Sequence, residues 1–199
     1  MRNRIKEGTN LKGKGLLLVI IGIIILLAIS FAGSYNTLVG LEEQVNNKWS
    51  QIETQLARRA DLIPNLVETV KGYAQHEEAI FSEIADARSR LVGAGNVSER
   101  MDAENQLTGA LSRLLAIAEN YPDLKADANF RQLQDELAGT ENRIATARRD
   151  YNDAVTKFNS RSRRFPTVVF ANMLGFEQKV YFEAPESAQQ APIVDFNTN

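Results

Sequence analysis

An uninterrupted apolar run near the N-terminus constrains this chain more than any other feature. The seventeen residues from Leu16 to Ala32 include no charged side chain. A helix needs roughly 20 apolar residues to cross the hydrocarbon core of a membrane, with ~17 near the lower limit, and the next residues can extend this run. A buried helix of a soluble protein is a poor alternative because the run has no polar face. We therefore predict a transmembrane anchor over residues 16–34.

The charges around that run predict its orientation. The basic segment 1–15 has a local net charge of +4, and the first charged residues after the run are Glu42 and Glu43. The positive-inside rule then places the N-terminus in the cytoplasm and the rest outside, in a single-pass protein of the cytoplasmic membrane. A cleaved signal peptide is the alternative, with Ser30 and Ala32 as the small residues of a cleavage site. The run is longer than the ~7–15 apolar residues usual in such peptides.

The composition of the remaining chain excludes several classes of function. Cysteine is absent, which excludes disulfides, thiolate metal sites and cysteine nucleophiles. The chain beyond residue 15 carries a net charge of −6, so nucleic acid is not an expected partner. The only histidine, His76, is followed by Glu77, but Ile80 stands where a zinc-protease motif has its second histidine. We expect no enzyme activity, catalytic residue, cofactor, metal ion or small-molecule substrate.

Helical periodicity dominates from residue 36 to about residue 160. Apolar side chains recur in two interleaved seven-residue series, with Arg59 and Glu77 as polar interruptions, and such a stripe is typical of a helix that packs against other helices. The first series contains Val45, Ile52, Leu66, Tyr73, Ile80 and Ala87, and the second contains Trp49, Leu56, Ile63, Val70, Ile84 and Leu91. The most regular stripe comes later, and consists of Phe130, Leu133, Leu137, Thr140, Ile144, Ala147, Tyr151, Val155 and Phe158.

Pro64 lies inside the first of these patterns. Proline lacks the helical N–H and clashes with the preceding turn, so we expect the helix to kink or restart there, with Asp61 as the new N-cap. Loops are predicted at 93–96, with Ser98 as the next cap, and at 121–123. The resulting helices have about 25, 30, 23 and 38 residues. A single helix straight through Pro64, which would reach about 85 Å, is the alternative.

These lengths predict an all-α fold. The N-terminal single transmembrane helix is followed over residues 35–182 by an antiparallel four-helix up-and-down bundle of long helices. Residues 183–199, rich in Ala, Pro, Gln, Ser and Asn, are predicted to form a disordered tail.

Two groups of residues are candidate binding sites. Arg58, Arg59, Asp61 and Asn65 surround the proline and form a candidate partner-binding or switch corner, although they could simply cap a helix junction. Arg161, Arg163 and Arg164, with Phe165 and Phe170 after them, form a candidate membrane-proximal element. The alternative for this second group is that its apolar residues pack over the base of the bundle.

Several motifs, in order along the chain, resemble the LemA family. They are Tyr35-Asn36-Thr37-Leu38-Val39, Trp49-Ser50-Gln51-Ile52, Gln55-Leu56-Ala57-Arg58-Arg59-Ala60-Asp61-Leu62-Ile63-Pro64-Asn65-Leu66-Val67, Lys71-Gly72-Tyr73-Ala74-Gln75-His76-Glu77, Ala118-Glu119-Asn120-Tyr121-Pro122-Asp123-Leu124-Lys125-Ala126, Asn129-Phe130-Arg131-Gln132-Leu133-Gln134, Thr140-Glu141-Asn142-Arg143-Ile144 and Arg148-Arg149-Asp150-Tyr151-Asn152. The likeness extends from residue 35 to about residue 183. It implies a helical bundle outside the cytoplasmic membrane of bacteria, with no established catalytic activity. Some members carry a lipidated cysteine near the end of the apolar run, where this chain has Gly33-Ser34.

From the residues and the resemblance together we expect a non-enzymatic, membrane-anchored helical scaffold or adaptor protein of the bacterial cell envelope. Its expected partners are the lipid bilayer and either a protein partner or further copies of itself. One alternative is a self-assembling or lipid-contacting, membrane-organising protein, because LemA-like proteins include a component of magnetosome membranes. Another is an accessory factor of membrane proteolysis, because relatives are often encoded near a membrane zinc protease.

Overall fold

The computed structural model describes residues 7–183, with side chains from Gly15 onward, and every regular element in this range is a helix. The helices are α1 (Glu7–Lys71), α2 (Glu78–Gly93), α3 (Val97–Ala118), α4 (Pro122–Ala126), α5 (Ala128–Ser162) and α6 (Thr167–Leu174). The prediction of a helical chain with one long apolar N-terminal helix is confirmed. The predicted tail lies outside the described residues from residue 184 onward.

The N-terminal part of α1 exposes its apolar side chains. The large apolar residues between Leu16 and Ile29 are 43% to 69% exposed, and packing begins at Ser34 and Leu38, which are 4% and 0% exposed. Within the described part of the chain, one helix is long and apolar enough to cross a membrane.

Helix α1 continues through Pro64 and ends at Lys71, so the predicted restart at Asp61 is wrong. Proline has no N–H to donate to the carbonyl oxygen of Ala60, four residues earlier. The guanidinium of Arg88, on α2, donates to this oxygen from Nε over 2.7 Å. A side chain from another helix thus replaces the missing backbone donor, and the helix does not need to break.

The chain turns at residues 72–77 instead. Gly72 is a poor helix former, and the N–H of Tyr73 donates to the carbonyl of Val70 over 3.0 Å, an i→i+3 bond that tightens the last turn. Tyr73 is therefore 42% exposed, although its place in the first seven-residue series predicted burial. The alternative, one helix straight through Pro64, is correct in that α1 does not break at the proline. The helix nevertheless ends at Lys71, and α2 begins only at Glu78.

Helix α3 is capped one residue before its start. The Asn96 side chain accepts a hydrogen bond from the Glu99 N–H over 2.9 Å, and the Glu99 carboxylate accepts one from the Gly95 N–H over 2.9 Å. This reciprocal arrangement satisfies N–H groups that the helix leaves free at its N-terminus. The prediction that Ser98 caps this helix is wrong, because α3 already begins at Val97.

The predicted apolar stripes supply most of the interior. On α5 only Leu133 and Ala147 of the predicted stripe remain half-buried, and α3 contributes Met101, Leu107, Leu111 and Leu114 to the interior. The largest side chains less than 2% exposed include Leu38, Ile52, Ile63, Leu66, Ile84, Leu107, Leu114, Leu124, Phe130, Ile144 and Phe158.

The chain divides into two compact units. Among the described residues, unit 1 combines residues 7–45 with Thr156–Lys179, and unit 2 comprises Asn46–Val155 with residues 180–183. Within unit 2, the neighbouring helices α2 and α3 run antiparallel. Glu83 pairs with Arg113, and Arg90 donates to Gln106 over 3.0 Å.

Candidate functional site

A buried ion cluster of Arg59, Glu104 and Arg148 lies within unit 2, where α1, α3 and α5 meet. Arg59 Nη1 is 2.6 Å from Glu104 Oε1, and Arg148 Nη2 is 3.3 Å from the same oxygen. The hydroxyl of Thr108 accepts a hydrogen bond from Arg59 Nη1 over 3.2 Å. Glu104 is 0% exposed and Arg59 is 4% exposed, so the central ion pair is removed from water. The carboxylate of Glu104, on α3, therefore pairs with side chains from both α1 and α5.

The electrostatics of this cluster are dominated by its burial. Burial raises the pKa of the Glu104 carboxyl, whereas the nearby guanidiniums of Arg59 and Arg148 act to lower it. Burial also lowers the pKa of Arg148. Within the described residues, Glu104 Oε2 and the Nε atoms of both arginines have no hydrogen-bond partner. Such a cluster contributes little net stability, because removing charges from water costs several kcal/mol per ion. It does disfavour any packing that separates the charges.

Of the four residues predicted as a corner around Pro64, only Arg59 belongs to this cluster. Arg58, Asp61 and Asn65 are exposed on the outside of α1, which is continuous there, so no helix junction brings the four together. Their role in binding a partner stays a prediction. Neither Glu104 nor Arg148 was predicted from the sequence as a member of a site, although the position of Glu104 in the sequence is unusual for a charged residue. It lies three residues from both Met101 and Leu107, and is therefore a charge within an apolar stripe.

The end of the described chain packs against the same region of unit 2. Asn152 binds the backbone of Phe182 twice, accepting from its N–H over 2.8 Å and donating to its carbonyl over 2.9 Å. The hydroxyl of Tyr151 donates to the carbonyl of Val180 over 2.9 Å. The guanidinium carbon of Arg148 lies 4.2 Å from the centre of the Phe182 ring. The extended segment therefore covers one member of the buried ion cluster.

Unit 1 brings α6 against α1. The rings of Phe31 and Phe170 meet edge to face with their centres 5.1 Å apart. Phe176, just after α6, lies 6.2 Å from Tyr35 and 6.3 Å from Phe158, measured between ring centres. These contacts hold α6 beside the last residues of the apolar run.

Lys179 closes unit 1 by binding both α5 and α1. Its N–H donates to Asn159 Oδ1 over 2.8 Å, and its carbonyl accepts from Asn159 Nδ2 over 2.9 Å. Its ammonium group forms an ion pair with Glu42 and lies 5.3 Å from the centre of the Phe158 ring. The chain that leaves α6 is thereby attached to two helices.

The predicted membrane-proximal residues divide into two sets in the structure. Arg161, Arg163 and Arg164 are exposed, and Phe165 is 84% exposed. Phe170 is half-buried against Phe31. Phe170 therefore packs against the apolar run of α1 rather than over the base of the predicted bundle, and Phe165 is left exposed.

Metal-binding clusters and surface grooves are two further kinds of candidate site. From Gly15 to Glu183, no three His, Cys, Asp or Glu side chains lie close enough to hold a metal ion. A surface groove runs between α2 and α3, and charged side chains including Glu83, Arg90 and Arg113 line it.

Comparison with known proteins identifies relatives over most of the chain. The profile of the LemA family matches residues 48–196. Magnetosome protein MamQ 2 of Paramagnetospirillum magneticum is 28% identical over 96% of this chain and 80% of its own length. Magnetosome protein MamQ of Magnetospirillum gryphiswaldense is 26% identical over the same shares. Protein LemA of Metamycoplasma hominis is 27% identical over 78% of this chain and 72% of its own length. The family profile covers well over half of the residues, and the chain belongs to the LemA family.

Proposed function

We propose that this protein is a non-enzymatic, membrane-anchored helical scaffold or adaptor of the bacterial cell envelope. It crosses the cytoplasmic membrane once, with its N-terminus inside and its helical domain outside. The observation that carries the proposal is the apolar surface of α1 from Leu16 to Ile29, which no part of the described chain covers. Because water disfavours so much contiguous apolar surface, a bilayer is its natural environment.

The packing of Phe31 supports an uncleaved anchor. Phe31 lies inside the apolar run, and its ring contacts Phe170 on α6. Cleavage after Ala32 would remove this contact from unit 1. The run therefore serves both as a membrane anchor and as part of the folded protein.

We also infer that α1 beyond residue 45, α2, α3 and α5 form an antiparallel four-helix up-and-down bundle. The pairs between α2 and α3 described above support opposite directions for these two helices. Two pairs between α1 and α3, Glu53 with Arg100 and Arg59 with Glu104, support a parallel relation, because both residue numbers increase together. Alternating directions along the chain are what this topology requires.

Cysteine crosslinking tests this topology in a chain that has no native cysteine. The pairs Glu53→Cys with Arg100→Cys and Glu83→Cys with Arg113→Cys should crosslink with a short bismaleimide. The mismatched pair Glu53→Cys with Arg113→Cys should not, because thirteen residues along α3 correspond to about 20 Å. Crosslinking of the mismatched pair, or failure of both matched pairs, contradicts the proposed bundle.

Labelling in spheroplasts tests the anchor and its orientation. Ser98 is exposed on α3, so Ser98→Cys should react with a membrane-impermeant maleimide in intact spheroplasts, whereas Thr9→Cys should react only after lysis. The labelled protein should keep its full mass and stay with the membranes in alkaline carbonate. The reverse labelling pattern would show the opposite orientation in the membrane, and release of a shortened chain would show that the run is a signal peptide.

A membrane-organising role is the second candidate, and the names of the relatives favour it. Two of the similar proteins quoted above are called magnetosome proteins. Crosslinking in cells from a photoreactive residue at the exposed position Arg58, followed by mass spectrometry, separates the candidates. Capture of another envelope protein, a membrane protease included, supports the adaptor, whereas capture of only the same chain supports self-assembly.

A further inference from the structure

The membrane-spanning part of α1 is short for its task. Its exposed large apolar side chains extend from Leu16 to Ile29, a length of about 21 Å at the rise of an α-helix. Even the whole run to Ala32 spans only about 25 Å, whereas the hydrocarbon core is ~30 Å thick. Additional apolar surface near one end of the run would bring its apolar length closer to this thickness.

Helix α6 supplies apolar surface at the C-terminal end of the run. The Phe31–Phe170 contact places α6 beside the last turn of the run, with Thr167 and Ala171 buried at 0% and 1% exposure. The opposite face of α6 is exposed, because Val169 and Met173 are 48% and 74% exposed. Their spacing of four residues puts both side chains on one face of the helix. Phe165, in the turn before α6, is 84% exposed and adds apolar surface next to the arginines.

Three exposed arginines lie where α5 ends and the chain turns tightly into α6, with Arg161 in the last turn of α5 and Arg163 and Arg164 in the turn itself. The N–H of Arg164 donates to the carbonyl of Arg161 over 3.3 Å, and the N–H of Val168 donates to the carbonyl of Arg164 over 2.8 Å. The basic group is therefore joined to α6 without a flexible linker. Amphipathic helices that lie in a membrane interface combine such cationic groups with an apolar face.

We propose that α6 is an interfacial helix whose exposed apolar side chains enter the outer leaflet beside the end of the membrane-spanning helix. The guanidinium groups of Arg161, Arg163 and Arg164 bind phosphate groups of lipids in that leaflet. The occupant of this surface is the bilayer. The surface is continuous with the exposed apolar side chains of α1 between Leu16 and Ile29, and the arginines carry a charge opposite to that of lipid phosphates. This inference rests on the proposed function, since it requires that α1 spans the membrane.

Fluorescence quenching in vesicles tests the position of α6. Trp49 is the only tryptophan, so the full chain with Trp49→Phe provides a background for single tryptophans at Met173, Ile23 and Leu115. Met173 is on α6, Ile23 is in the middle of the apolar run, and Leu115 is an exposed apolar residue of α3 in unit 2. With lipids brominated on their acyl chains, we expect quenching at positions 173 and 23, and none at position 115.

The three positions distinguish the two possible failures. Quenching at position 23 but not at position 173 would overturn the interfacial helix and leave the anchor intact. Absence of quenching at position 23 would overturn the anchor, and with it the proposed function. Equal quenching at positions 115 and 173 would show contact with lipid that is not specific to α6, and would also overturn the inference.

Neutralising the arginines tests the lipid contact in the same assay. The Arg161→Gln, Arg163→Gln and Arg164→Gln triple variant should weaken the docking of α6, by up to about fivefold per arginine in phosphatidylglycerol vesicles. A matched triple variant, with Gln at the exposed residues Arg131, Arg143 and Arg149 of unit 2, should behave like the parent. Added inorganic phosphate should not release α6. Release by inorganic phosphate, or equal effects of the two triple variants, would overturn the assignment to lipid phosphate.

Discussion

At the scale of single residues, Arg88 determines the course of the longest helix. Pro64 leaves the carbonyl of Ala60 without its usual donor, and Arg88 Nε donates to it over 2.7 Å. An unsatisfied buried carbonyl would cost ~1–3 kcal/mol, and Ala60 is only 2% exposed. The helix accommodates Pro64 because the long side chain of Arg88, on α2, reaches the Ala60 carbonyl and donates a hydrogen bond to it.

We expect Arg88→Met to lower the free energy of unfolding by about 1–3 kcal/mol, because methionine has similar length but cannot donate. In a Pro64→Ala background the loss should be smaller, since the N–H of alanine can bond to the Ala60 carbonyl. Urea unfolding of the detergent-solubilised chain, followed by circular dichroism, measures both values. Arg131→Met, at an exposed position on α5, is the control. Equal losses in the two backgrounds would show that Arg88 does not act through the proline.

The buried carboxyl of Glu104 predicts a pH dependence of stability. Burial raises the pKa of this group in the folded chain. The folded state then binds more protons than the unfolded state between the ordinary pKa and the raised one, so the free energy of unfolding falls as pH rises through this window. We expect the wild type to lose stability relative to Glu104→Gln across the window, because glutamine does not titrate. The opposite slope in urea unfolding would show that Arg59 and Arg148 outweigh burial.

At the scale of elements, α5 is the helix whose regular stripe most directly predicts burial. Leu137 lies in this stripe and is 8% exposed, whereas Ala138 beside it is exposed. The alternation of three- and four-residue steps keeps one face of the helix towards the interior. One helix thus offers a buried and an exposed position next to each other, which makes a matched pair for testing.

We expect Leu137→Asp to destabilise unit 2 by several kcal/mol, because its carboxylate would be buried without a partner. Ala138→Asp should change the free energy of unfolding by less than about 0.5 kcal/mol, since it adds the same charge at an exposed site. Thermal unfolding followed by circular dichroism compares the two. Similar melting temperatures for both variants would place Leu137 outside the core.

The extended segment after α6 depends on side chains of α5 rather than on a neighbouring strand. The N–H of Phe182 donates to Asn152 Oδ1 over 2.8 Å. We expect Asn152→Ala to speed hydrogen exchange at the amide of Phe182, because that N–H then loses its acceptor. Asn142→Ala, at an exposed position on the same helix, should leave the exchange unchanged. Unchanged exchange in both variants would mean that other contacts hold the segment.

At the scale of the whole molecule, water disfavours the exposed apolar side chains of α1 between Leu16 and Ile29, whereas the packed helical units bury most of their apolar side chains away from it. We expect a chain that begins at residue 36 to lose carbonate-resistant association with membranes while its circular dichroism stays dominantly helical. The helical stripes that form its interior lie beyond that point. A large content of sheet would contradict the helical fold, and retention in carbonate-washed membranes would contradict anchoring by the apolar run.

The sequence by itself determined the helical class, the long apolar N-terminal helix, most of the inward face of α5, and the family. These features follow from periodicity and from short motifs, which are local properties of a helical chain. It also pointed to Arg59 and to the arginines before α6, although the predicted helix restart at Asp61 and the cap at Ser98 were wrong.

Only the tertiary structure decided where α1 ends, how the charge of Glu104 is compensated, and what α6 touches. Each of these depends on groups that are distant in sequence. Arg88 donates to the carbonyl of Ala60. Arg59 and Arg148 form ion pairs with Glu104, and the ring of Phe170 contacts that of Phe31. A proline or a buried carboxylate is unfavourable when judged from its own helix, because the donors that make it acceptable come from other helices.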